Sequence, residues 1–194
     1  MTIKFLQRIL YFPFYLLQYY VIKKLIYYII FDNIMNQSVK SIKRQFVNLR
    51  KNPNSLFSIM LTDDIFIWNI LFFGPPDTIY ENGIFRAKMT FPKDFPNSPP
   101  VVQFVDNIFH PNIYPDGKVC ISILHDGEDV YGYESASERW NPSHSVSSIL
   151  LSIISMLPNP NFESPANIDA SVMCKDKYPE YKKKIYKIVS KSLS

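Results

Sequence analysis

The chain has 194 residues, 47% hydrophobic and 20% charged, a balance that supports a packed core and excludes disordered and collagen-like classes as overall descriptions. That length suits one domain: roughly 150 residues bury about two thirds of their unfolded surface, and a second full domain does not fit beside them. Net charge is +4, but Lys4, Arg8, Lys23 and Lys24 against Asp32 concentrate most of it in the first 34 residues, so the basic balance makes no case for a nucleic-acid partner.

Residues 1–34 read as a hydrophobic, aromatic-rich extension, and 35–194 as the domain proper. The stretch 9–22 carries no charge, Lys23-Lys24 interrupts, and 25–31 resumes the apolar run. Fourteen residues fall short of the about 20 that cross a bilayer as a helix, and Pro13 interrupts them further. Three readings stay open for this tract: a membrane anchor, a signal sequence without a small-residue cleavage site, and an extension ahead of a start at Met35.

From Ser38 the pattern becomes amphipathic. Ile42, Phe46 and Leu49 share one helical stripe with Lys40, Lys43, Arg44 and Arg50 around it, and Asn52-Pro53 stops the helix. Four apolar, β-branched or aromatic runs follow, at 56–61, 65–73, 84–91 and 101–105. Asp, Asn, Gly or Pro separate them, which predicts a four-stranded antiparallel meander. Residues 145–157 carry Val146, Ile149, Leu150, Ile153 and Leu157 at helical spacing and predict the core helix, ended by Pro158 and Pro160. Two shorter helices are expected around 165–173 and 179–192, each with a proline suited to a first turn. The order is helix, four strands, helices, an α+β arrangement.

Between the last strand and the core helix lies a long irregular stretch, 106–141, of the kind that usually carries function. It contains His110-Pro111-Asn112, the turn Tyr114-Pro115-Asp116-Gly117, Cys120, and later Trp140-Asn141-Pro142. Two cysteines, Cys120 and Cys174, make no disulfide framework and point to a reducing compartment. His110, His125 and His144 show no zinc-site spacing, so no metal is expected. Gly117-Lys118 is followed by Val119 rather than Ser or Thr, so the chain has no phosphate-binding loop.

These residues resemble the ubiquitin-conjugating enzyme family, whose signature is a His-Pro-Asn tripeptide ahead of the active cysteine and a Trp-x-Pro after it. Phe91-Pro92, Phe95-Pro96 and Pro99-Pro100 look like that family's proline-rich loop, and the resemblance covers about 43–193. It implies that Cys120 accepts ubiquitin as a thioester from an activating enzyme and passes it to a lysine amine of a substrate protein or of ubiquitin. No cofactor is implied, because ATP is used by the separate activating enzyme. Asn112 is then either an amide donor to the developing oxyanion or a brace for the loop. His110 and Pro111 are implied to support that loop. Glu163, or an acid of the stretch after Cys120 such as Asp129, is a candidate to desolvate or deprotonate the incoming lysine. A RING-type ligase is implied to dock on Lys43, Phe95, Asn97, Pro142 and Ser143, with Asn97 standing where a larger apolar residue is usual.

The interval from Cys120 to Trp140 is about a dozen residues longer than in the plainest members. Its Asp126, Glu128, Asp129, Glu134 and Glu138, together with Ser164 at the site rim, look like the acidic-loop subclass. That subclass acts in endoplasmic-reticulum-associated degradation and builds ubiquitin chains of the proteasome-targeting linkage. The implied location is cytoplasmic, at the cytosolic face of the endoplasmic reticulum if residues 1–34 anchor. A cysteine hydrolase, a cysteine-less binding variant of the same fold and a membrane scaffold are the competing readings. Cys120 and Asn112 argue against the second.

Overall fold

The computed structural model describes residues 32–127 and 138–193, with Lys23, Ile26 and Ile30 ahead of them. Two compact units are distinguished, Met1–Gln37 and Ser38–Ser194. Residues 32–37 of the first are helical. The extension expected over 1–34 falls almost wholly outside the described residues.

In the second unit, helix α1 covers 38–51. Ile42 and Leu49 are buried as the apolar stripe requires, and Phe46 meets Trp68 edge-on at 5.7 Å. Ser38 is buried as well, its hydroxyl donating to the Lys93 carbonyl at 2.6 Å. The strands are β1 (Phe57–Leu61), β2 (Ile67–Phe73), β3 (Ile84–Thr90) and β4 (Val101–Phe104). They pair antiparallel in sequence order as a meander. Period-two alternation turns Trp68, Ile70 and Phe72 inward with Phe85, Ala87 and Met89, while Asn69, Arg86 and Lys88 face out.

Helix α2 (Val146–Met156) closes the core by burying Val146, Ile149, Leu150 and Ile153. Ser145 and Ser148 form its capping box, and Gln45 of α1 accepts from the Val146 N–H at 3.1 Å. Three of the orphan donors at this helix start therefore have partners. Helix α3 (Ile168–Asp176) is capped by Asn167, and α4 (Tyr178–Ser192) buries Tyr181, Ile185 and Val189 one turn apart.

The α+β architecture is the one the sequence predicts, with two corrections at the C-terminal helices. Pro165 does not enter a first turn, because the Asn167 side chain accepts from the Ala170 N–H and starts α3 three residues later. At 15 residues α4 is longer than the 11-residue core helix rather than shorter. Its apolar stripe is narrow and its other faces are lysine-rich, a composition that keeps a long surface helix in solvent.

Candidate active site

Beyond β4 the chain is tied down at each step. Asp106 accepts from the Arg86 backbone N–H at 2.6 Å and pairs with its guanidinium. The Tyr181 hydroxyl donates to the Phe109 carbonyl at 3.3 Å and so receives from Tyr80 at 2.9 Å. Burial raises the pKa of both tyrosines, which keeps each hydroxyl a donor.

His110 follows, fully buried. Its Nδ1 accepts from the Asn112 N–H at 3.0 Å, so Nε2 carries the proton and faces the Leu157 carbonyl at 3.3 Å. Burial lowers its pKa to about 4, and the ring is neutral at physiological pH. Both ring nitrogens are engaged, Nδ1 within the loop and Nε2 at the end of α2, which leaves neither for a thiol. The Pro111 carbonyl accepts from the Asn167 N–H at 2.9 Å, joining the loop to the start of α3.

Asn112 is buried too. One side-chain N–H donates to the Asn161 carbonyl at 2.7 Å, and Oδ1 accepts from the Asn161 N–H at 2.8 Å. This reciprocal pair fastens the segment after α2 beside the tripeptide. An amide NH₂ has two donors, and one of them is taken here by Asn161. Glu163 and Ser164 lie exposed two and three residues past that clamp, the Glu163 N–H bonded to Asn161 Oδ1 at 2.8 Å.

The thiol sits on a hairpin that extends the sheet. Ile113 bridges Val119, and Val119 N–H donates to the Val102 carbonyl of β4 at 2.9 Å. The hairpin turns at Gly117, where φ is +90° and a Cβ would stand 2.3 Å from the Phe104 carbonyl oxygen. Only glycine allows that approach. The Cys120 N–H then donates to the Asn112 carbonyl at 2.9 Å, so the residue carrying the thiol and the residue carrying the amide share a backbone bond.

Cys120 is half-buried. Its Sγ lies 3.4 Å from His125 Nε2. Tyr114 stands beside it, and its hydroxyl pKa is raised by the charge on Cys120, by a hydrogen bond to that thiol and by partial burial. Sequence reasoning missed both neighbours. Tyr114 was legible only as part of a turn. The 3-10 turn Ser122–Leu124 carries the chain back so that the residue five places on reaches the sulfur.

The long insertion leaves from His125 and returns at Trp140, whose N–H donates to the His125 carbonyl at 2.9 Å. Arg139 also donates to the Gly127 carbonyl. The described residues on either side of the insertion are therefore joined to each other. Asp129 lies outside the described residues. Trp140 Nε1 in turn donates to the Pro96 and Asn97 carbonyls at 3.0 and 3.1 Å. That contact fixes the 140–143 loop beside the proline-rich loop.

Of the five residues expected to meet a ligase, Lys43, Asn97, Pro142 and Ser143 are exposed. Phe95 is not. It is 1% exposed, packed on Phe91 at 5.0 Å and Trp140 at 6.1 Å, so it supports the two loops from beneath and cannot itself touch a partner. Cys174 is half-buried, and burial raises its pKa.

A family model for ubiquitin-conjugating enzymes matches residues 41–189, most of the chain and all of the site just described. The chain belongs to the ubiquitin-conjugating enzyme family. It is 52% identical over 161 residues to the probable ubiquitin-conjugating enzyme E2 7 of Caenorhabditis elegans, a match that covers 81% of this chain and 98% of that one. It is 53% identical over 160 residues to ubiquitin-conjugating enzyme E2 13 of Arabidopsis thaliana, covering 81% and 96%. With the human ubiquitin-conjugating enzyme E2 G2 it shares 48% over 159 residues, covering 80% and 96%. As a ubiquitin-conjugating enzyme it is a transferase, and membership implies ubiquitin, an activating enzyme and ligases as its general partners.

Proposed function

We propose that Cys120 is the residue that carries ubiquitin, and that the enzyme works with a RING-type ligase to build proteasome-targeting chains in endoplasmic-reticulum-associated degradation. The observation that carries the reading is the half-exposed Cys120 thiol on a hairpin whose backbone is bonded to Asn112. A nucleophile in exchange between thioesters needs access and position more than a depressed pKa.

In the charging step the Cys120 sulfur attacks the thioester carbonyl carbon of ubiquitin held by the activating enzyme, the carbon–sulfur bond to that enzyme breaks, and its thiol leaves. ATP is consumed only on the activating enzyme. In the transfer step a lysine amine attacks the new thioester, and negative charge gathers on the carbonyl oxygen before Cys120 leaves as thiolate. The second Asn112 side-chain N–H is the candidate donor to that oxygen. His125, within 3.4 Å of the sulfur, is a better-placed proton carrier than His110, whose ring is committed to Leu157 and Asn112. Glu163 and the acids of the insertion, Asp129 among them, serve to draw in the cationic amine. Lys43, Asn97, Pro142 and Ser143 offer the surface for the ligase, and the two loops that bear the last three are joined through Trp140.

The acidic insertion and Ser164 support the degradation subclass, and the relative named E2 G2 is consistent with it. The test is a reaction with activating enzyme, ATP and ubiquitin, resolved without reductant. Cys120→Ser should form a reductant-resistant oxyester, and Cys174→Ser should charge as the parent does. A reductant-sensitive adduct on Cys120→Ser refutes the assignment.

A further inference from the structure

The loop preceding the tripeptide and helix α4 line an open cleft of about 720 Å³. Its floor is apolar, made by Ile108, Phe109 and Ile188, and its rim on the α4 side carries Lys184, Lys187 and Lys191. Asp169 of α3 stands among its other lining residues. The lysines are spaced three and four apart, so α4 presents them along one face. Lys184 Nζ sits 3.3 Å from the centre of the Phe109 ring, which fixes one cation directly above the floor.

We propose that this cleft is a docking site for a short acidic peptide of a partner protein, with an apolar residue seated between two carboxylates. Charge complementarity with the three lysines selects acids, and the apolar floor selects the residue between them. A bare phosphate would meet the lysines and leave the floor empty. A bilayer surface cannot enter a concave cleft, so the floor argues against a membrane as occupant.

The spacing sets the peptide's register. Lys184 and Lys191 are seven residues apart, about 10 Å along the helix axis. A polyproline II chain returns to the same face every third residue, after about 9 Å. Acids at the first and fourth positions would thus face the two end lysines, with an apolar residue at the second position turned to the floor. Asp169 disfavours further acids on the α3 side and orients the chain.

The experiment uses the full chain and a fluorescein-labelled peptide Ser-Glu-Leu-Pro-Glu-Ser, read by fluorescence anisotropy. Binding should be saturable and weaken as salt rises, because exposed charges are screened. Lys187→Glu with Lys191→Glu should weaken it at least tenfold, whereas Lys187→Arg with Lys191→Arg should retain it. Thermal melting should be unchanged in Lys187→Glu alone, whose side chain is exposed, and that single variant should still weaken binding severalfold. Equal binding of a peptide with Lys in place of Glu, or of one with Ser in place of Leu, overturns the proposal. So does unchanged binding by the Lys→Glu variant, or capture of the protein by phosphatidylserine vesicles without binding of the peptide. Charging with ubiquitin is a separate readout that none of these outcomes depends on.

Discussion

Asn112 and His110 are both buried, and the free energy held in their hydrogen bonds sets what each can do. Asn112 spends its Oδ1 and one N–H on the backbone of Asn161, so it is a brace in the resting enzyme whatever it does in the reaction. If its second N–H also meets the oxyanion, Asn112→Ala should slow transfer to lysine by about a hundredfold, the ~3 kcal/mol of a missing oxyanion donor. Charging should fall only a few-fold. Single-turnover assays of the two steps decide, and equal slowing leaves the brace alone. His110 gives a pH prediction. Its pKa is lowered to about 4 by burial, below the about 6.5 of an unfolded histidine. The unfolded chain therefore binds more protons between those values, and stability present above pH 6.5 is lost as pH falls toward 4. The loss should be on the order of 2 to 3 kcal/mol at 1.36 kcal/mol per unit. Urea unfolding at pH 7.5, 6 and 5 measures it. His110→Gln keeps one donor and one acceptor and should flatten the acid limb, and parallel curves for the two proteins would remove His110 as the cause.

The elements were legible where burial writes a period into the sequence, and less so where a single side chain decides. The strands and α2 emerge from alternation and helical spacing because each has one face in the core. The start of α3 depends on Asn167 alone, which no periodicity announces. In the same way the tripeptide and Cys120 were readable as motifs, but His125 reaches the sulfur through a turn, a contact that spacing along a chain does not reveal. Phe95 was misread as a contact because an aromatic in a loop looks exposed until its partners Phe91 and Trp140 are seen. The insertion is the element whose role is most open to test. Its ends are joined by the His125 and Trp140 backbone bond, so removing residues 128–137 should leave the flanking hairpin and Trp140 in place. Charging is then expected to persist. Chain building should fall if Glu128, Asp129 and Glu134, which the deletion removes, help to attract a cationic amine. Ubiquitin chains formed over time on gels test this, and unchanged chain growth would reduce the insertion to a solvated loop.

At the scale of the whole molecule, the family model begins at residue 41 and the matched relatives cover about four fifths of the chain. The conjugating fold from Ser38 onward has its own core, its first buried residues being Ser38 and Ile42. Among the described residues no helix is long and apolar enough to cross a membrane, and the charge-free stretch 9–22 lies outside them. As a helix that stretch would measure about 21 Å, short of the ~30 Å hydrocarbon layer. Its many Tyr and Phe rings and the flanking Lys23-Lys24 suit the interface instead, where aromatic rings and snorkelling lysines hold a chain in the headgroup region. We expect the full chain to sediment with membranes and a chain lacking 1–34 to stay in the supernatant while still charging with ubiquitin. Mass spectrometry of the endogenous amino terminus tells whether the tract is made, and carbonate extraction tells whether it holds. A native protein that starts at Met35, or a full-length one that washes off, would refute the anchor and leave the conjugating fold as the whole of the functional chain.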